Sequence, residues 1–369
     1  MRICLPVARV VPLYAPLGMA VAAALALAAM PALANEDRSP EVPTSTAPAE
    51  ADTAAAPERG IFTFQYENDL LAGTDRYYTN GVRLSYTSPG LRQRIPWAAD
   101  ALEWLYPFDP GADAWLRVSL GQSMFTPGDI EVSELIVDDR PYAGWLYAGF
   151  ALNVEVDQEL LSTRYDTLDT LEVELGVVGP ASLAEETQKF VHEIIGSPEP
   201  KGWDNQLHNE PGLLIVLERK LRTPSLTWGK LEADAIPFAT ASLGNIETSA
   251  GLGSILRVGQ GLDVDFGPPM IRPNVTGRTY FERAHRRFNW YVFVGGEGRF
   301  VARDIFLDGN TFRDSHSVDK KHMVGTFQAG FAASYDNFRL TFSYIGRTLE
   351  FDDQSSADRY GAVSVSYRF

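Results

Sequence analysis

Cysteine is nearly missing: Cys4 is the only one in 369 residues. With none after it, the folded chain has no disulfide, no thiolate metal centre and no cysteine nucleophile. A surplus of positive charge is missing too. Lys and Arg number 32 against 48 Asp and Glu, a net charge of −16, so nucleic acid is not an expected partner. After residue 30 no apolar run approaches the ~20 residues of a membrane-spanning helix. That argues against a helical membrane protein but not against a barrel, whose strands cross with about 9–11 alternating residues. The mean hydropathy of −0.13 is compatible with either a soluble chain or a barrel.

What is present begins with a leader. Arg2 and Arg9 form a basic start, Met19–Met30 is apolar, and Ala32-Leu33-Ala34 is a small-residue cleavage site, so residues 1–34 are expected to be a secretory signal peptide. Residues 35–58, rich in Pro, Ala, Thr, Ser and Glu without periodicity, read as a disordered linker. From residue 59 to 369 the pattern becomes alternation. It predicts an all-β fold: a roughly 12-stranded antiparallel transmembrane β-barrel with a short helix in an extracellular loop. The expected strands are 60–68, 80–88, 115–123, 143–156, 164–178, 210–221, 228–243, 248–259, 288–301, 321–335, 338–349 and 359–369. In the last, Val363, Val365, Tyr367 and Phe369 would face lipid; Leu340, Phe342 and Tyr344 would do the same one strand earlier. A final phenylalanine closing a strand resembles the end of bacterial outer-membrane barrels.

Counting strands from a periplasmic start sends the first, third and fifth connections to one outer rim. The fifth, Gly179 to Asn209, is too long to be structureless. Leu183–Ile195 predicts a helix there, with Leu183, Phe190, Val191, Ile194 and Ile195 along one apolar side. Ser182 and Glu185 have capping-box spacing, and Gly196 is a stop. Two connections on the other side, Gly90–Asp113 and Gln260–Arg287, are longer than periplasmic turns usually are. A helical turn is expected at Ala98–Leu105 in the first.

The first connection is the most crowded chemically. Glu67–Gly81 reads ENDLLAGTDRYYTNG; Asn, Asp, Thr and Gly are ordinary turn residues, but the wording is more specific than a turn needs. It resembles the signature of the outer-membrane lipid A 3′-O-deacylase family. Gly121-Gln122 with Thr126-Pro127, Asp139-Arg140-Pro141-Tyr142-Ala143-Gly144, and Val178-Gly179-Pro180 through His192 to Trp203 match in order. The resemblance implies an active site of Asn68, Asp69, Thr79 and His192, calcium dependence, and lipid A (lipopolysaccharide of the outer leaflet) as substrate. The family's glutamate six residues after the histidine falls on Pro198 here, and the adjacent Glu199 is the candidate substitute. Gln122 matches a family position, and Trp203 is assigned structural support.

Residue chemistry agrees with these roles. An imidazole such as that of His192 can take a proton from water, while Asn68 and Asp69 offer hard oxygen ligands suited to Ca²⁺. Alternation turns Phe62, Phe64 and Tyr66 to lipid, and Asp69, Thr79, Gly81 and Arg83 to the lumen. Asn68 would then have to reach the site from a loop or bulge. Arg140 could hold a phosphate or pair with Asp138 and Asp139. The expected function is removal of the 3′-linked acyloxyacyl chain from lipid A by His192-activated water, with Ca²⁺ assisting the oxyanion, in a monomer of the bacterial outer membrane. The alternatives are an outer-membrane phospholipase and a non-enzymatic barrel, porin or adhesin.

Overall fold

Alternation of apolar and polar residues on nearly every strand forces a sheet whose two faces meet different surroundings. In the computed structural model that sheet is closed. The structure describes residues 60–69, 77–91, 113–160, 163–268 and 287–369. The expected signal peptide, the linker and the Ala98–Leu105 turn lie outside the described residues. So do most residues of the two long connections.

The strands are β1 (Ile61–Asn68), β2 (Tyr77–Thr87), β3 (Asp113–Thr126), β4 (Ala143–Leu160), β5 (Thr163–Val178), β6 (Glu210–Arg222), β7 (Leu226–Trp228), β8 (Leu231–Gly244), β9 (Glu247–Gln260), β10 (Phe288–Asp304), β11 (Met323–Tyr335), β12 (Phe338–Arg347) and β13 (Asp358–Arg368). Every pairing is antiparallel. β13 returns to β1, and β6 pairs with β8, so twelve strands close the barrel and the three-residue β7 is a flap on β8. The expected strand 228–243 took in only Trp228 of β7, and the break at Gly229 and Lys230 gave no signal of a separate strand.

The closing seam is held by side chains as well as by the ladder. The Thr63 and Ser366 hydroxyls lie 2.8 Å apart inside, and Phe369 stacks on Phe62 outside at 5.5 Å. The outer face carries exposed Phe62, Phe64, Leu84, Val118, Leu120, Leu340, Val365 and Tyr367, as alternation requires. The inner face is filled rather than open. Glu172 binds both Arg83 and Arg117, the latter at 3.0 Å; Arg219 grips Asp169 at 2.6 Å; Arg257 and Arg339 converge on Asp265.

The connections β1–β2, β3–β4, β5–β6, β8–β9, β10–β11 and β12–β13 share one rim, by strand alternation. Helix α1 (Ala184–Ile195) rises from the β5–β6 connection, and the single turn α2 (Ile305–Asp308) from β10–β11. Below α2, Phe306 stacks on Phe125 at 4.0 Å, within a cluster that includes Tyr78, Trp145 and Tyr360. This apolar cluster lies inside the barrel near the rim.

Candidate active site

The decisive feature is where α1 lies. On β3 the outward positions are even-numbered: Leu116, Val118 and Leu120 are exposed, and Arg117 and Ser119 are buried inside. Gln122 and Met124 continue the outward series, yet Met124 is buried. What covers this stretch is the segment leading into α1 and the start of α1 itself. Gln122 Nε2 donates to the Ser182 carbonyl at 2.7 Å, and Ala184 packs with Met124, Tyr142 and Trp203. On β4, outward Gly144 leaves room for the same segment. A Cβ there would stand 2.0 Å from Ser182 Oγ and 2.3 Å from the Ala184 Cβ. The helix therefore clasps the outer face of the wall; it does not enter the mouth.

The apolar side expected of the helix faces away from the wall. Ala184, Gln188 and His192, spaced by four, are buried, while Leu183, Phe190 and Ile194 are exposed. Nor is there a capping box. Leu183, in the left-handed region at φ 57°, precedes the first turn, and no side chain caps it. Gly196 ends the helix at φ 72°, as expected.

His192 Nδ1 lies 2.6 Å from the Pro198 carbonyl oxygen. A carbonyl only accepts, so Nδ1 carries the proton and Nε2 is left with its lone pair. The position at which the family glutamate would stand thus contributes its backbone instead. Glu199 is exposed, with its charge felt by Lys189. One turn before His192, the buried Gln188 accepts from Trp203 Nε1 at 2.8 Å through its Oε1. That contact fixes the amide, and its Nε2 has no hydrogen-bond partner. The sequence reading missed Gln188, since a glutamine inside a helix gives no signal. Trp203 has the supporting role expected of it: it is buried, with its ring tilted against that of Tyr142 at 4.9 Å.

On the first hairpin, the alternation of buried and exposed residues ends at Asn68 although the strand includes it. Asn68 and Asp69 are both buried; Asn68 pairs with Asn80, and Asn80 with Met124. Tyr66 hydrogen-bonds Asn80 and has Asp69 as an electrostatic neighbour. Tyr66 lies on the outward face, and Asn68 and Asn80 continue the outward series of their strands toward Met124, so, as alternation predicts, Asn68 is not turned into the lumen. Two strand spacings of about 4.8 Å separate Asn68 from Met124 across the wall. The ladder between β2 and β3 shifts register between Tyr78 and Asn80, at Thr79. The Thr79 side chain lies outside the described residues. The contacts step across the wall in sequence, from β4 and β5 at the 180–182 turn to β3 and β4 at α1, in the direction of this hairpin.

Two expectations resolve differently. Arg83 is inside, on Glu172, as alternation predicts. Arg140 does not pair with its neighbouring acids through its guanidinium. It is buried above the Phe125 ring, 4.9 Å from the centroid, and reaches Glu350 at 3.3 Å on the far side of the rim. Among the described residues no three acidic or histidine side chains form a ready-made metal cluster.

The model of the family described as outer membrane protein LpxR matches residues 21–369. LpxR from Salmonella typhimurium is similar in structure, with a TM-score of 0.66 and 19% identity, over 84% of this chain and all of that one. The translocator domain of the autotransporter NalP from Neisseria meningitidis matches at a TM-score of 0.37 and 12% identity, over 84% of this chain and 89% of that one. The beta domain of the Bordetella autotransporter BrkA matches at 0.40 and 10%, over 85% and 100%. No curated protein matches by sequence. With a closed twelve-stranded barrel and a family model spanning nearly its whole length, this chain belongs to the LpxR family of outer membrane proteins.

Proposed function

We propose that the protein is a lipid A deacylase, hydrolysing the ester that links the 3′ acyloxyacyl chain. The observation that carries this reading is the His192–Pro198 contact on the wall side of α1. It sets the tautomer a general base needs, with Nε2 as the acceptor. Water attacks the ester carbonyl as Nε2 takes its proton; the tetrahedral intermediate collapses, and the proton returns to the leaving sugar oxygen. The buried Gln188 amide, held by Trp203, offers an N–H on the same helix face for the developing oxyanion.

Calcium is part of the proposal. Asn68, Asp69 and Asn80 bring a carboxylate and two carboxamides to the end of one hairpin, all buried, and such hard oxygen donors fit Ca²⁺. Asn68 and Asp69 are the residues proposed to hold it. Bound there, the ion would supply charge stabilisation at the ester carbonyl. The residues themselves shape and dry the site: Tyr66 orients Asn80, and α1 covers the wall beside it.

The test is mass spectrometry of lipid A from cells expressing the wild type, His192→Ala and Asp69→Ala. The expected outcome is loss of the 3′ acyloxyacyl group with the wild type and intact lipid A with both variants, each still a heat-modifiable folded barrel. Fatty acid released from glycerophospholipid, with lipid A unchanged, would favour the phospholipase reading instead.

A further inference from the structure

Helix α1 carries an apolar side that none of the described residues covers. Leu183, Phe190 and Ile194 are 54%, 63% and 66% exposed. At about 100° of turn per residue, the helix divides into three sectors. Ala184, Gln188 and His192 face the wall. Glu185, Glu186, Lys189 and Glu193 form a charged side, on which Lys189 pairs with Glu185 at 2.6 Å. Leu183, Phe190 and Ile194, joined by half-buried Val191, form the third. The centres of the three sectors lie roughly 120° apart. An ordinary amphipathic helix on a soluble protein needs two sectors, core and water. Three are what a helix needs where wall, water and lipid meet.

The position of the helix agrees. Its lead-in segment binds Gln122 on the outer face of β3, and the next outward residue down that strand, Leu120, is exposed to lipid. Two residues of strand are about 7 Å, so α1 rests on the upper edge of the apolar band. The one hydroxyl near the apolar side is satisfied internally: Thr187 Oγ1 donates to the Leu183 carbonyl at 2.8 Å.

We propose that α1 lies in the plane of the membrane with Leu183, Phe190 and Ile194 among the acyl chains of the outer leaflet. Its charged side then faces water. The occupant of the apolar side is lipid, in continuity with the band the barrel already presents. This goes beyond the hydrolase reading and does not depend on it.

The experiment uses the full chain with Cys4→Ser, so that single cysteines at 190, 194 and 193 carry a fluorophore one at a time. The refolded protein is placed in phosphatidylcholine vesicles containing lipids brominated on their acyl chains. A label at 64, on the exposed band, gives the lipid reference. Labels at 190 and 194 are expected to be quenched by the brominated chains to within about twofold of the label at 64, and several-fold more than the label at 193. Aqueous iodide is expected to give the reverse order. Equal lipid quenching at 190, 194 and 193, or stronger iodide quenching at 190 and 194, would overturn the proposal. Hydrolytic activity plays no part in either readout.

Discussion

At the scale of single residues the account turns on one imidazole and the group that orients it. His192 is held through Nδ1 by a backbone carbonyl, so the side chain at 198 matters less than the loop that carries it. Pro198→Ala keeps the carbonyl and is expected to lower kcat less than tenfold, whereas His192→Ala abolishes turnover; lipid A release kinetics distinguish the two. Glu199, exposed beside Lys189, is expected to tolerate Gln with less than a twofold change in rate. A hundredfold fall would place its carboxylate at the imidazole after all. The wording around His192 singled it out in the sequence, and the structure buries it against the Pro198 carbonyl. The role of Pro198 was not legible there, because a backbone acceptor leaves no trace in residue identity. For Asn68 alternation gave the direction, outward, and outward is the side of the wall on which the helix lies; what alternation could not show is that the helix would be there.

At the scale of elements, the seat of α1 on the wall is built from small or polar outward residues. Gly144 is the tightest point, since any Cβ would collide with Ser182 and Ala184. Gly144→Val is expected to lift the lead-in segment off β4, leaving a heat-modifiable barrel with at least a hundredfold lower activity. Wild-type activity in this variant would show that α1 does not need its seat. Trp203→Phe removes the indole N–H from Gln188 and leaves a buried amide oxygen without its donor, at a cost of about 1–3 kcal/mol. Faster hydrogen exchange along α1 is the expected sign. The helix itself could be read from helix-forming residues and a stopping glycine. Its orientation could not, because an apolar side marks a helix as amphipathic without saying whether that side meets the wall or the surroundings of the barrel.

At the scale of the whole molecule, the twelve strands and their shared rim were readable from alternation and parity, since each strand separates lipid from a polar interior. What fills that interior was not, because charged residues facing a lumen look the same whether the lumen is wet or packed. The rim is tied across the barrel by Glu350, which joins Arg140 at 3.3 Å and Arg347 at 2.9 Å. Burial pushes its carboxyl up, but Arg347, Arg140 and Arg299 outweigh this and hold it below its ordinary 4.5. A carboxyl lowered by folding contributes stability above its unfolded pKa and loses it as pH falls through the lower, folded value. Glu350→Gln is therefore expected to weaken the rim at neutral pH and to flatten the loss of rim protection below pH ~4.5, the ordinary glutamate range, as read by proteolysis across a pH series. The central claim, however, is a reaction at the outer face of the wall, and it is tested most directly by mass spectrometry of lipid A from cells expressing this protein or its His192→Ala variant with Ca²⁺ present. The account predicts lipid A lacking its 3′ acyloxyacyl chain with the wild type and complete lipid A with the variant. Complete lipid A in both, from folded protein in the outer membrane, would contradict it.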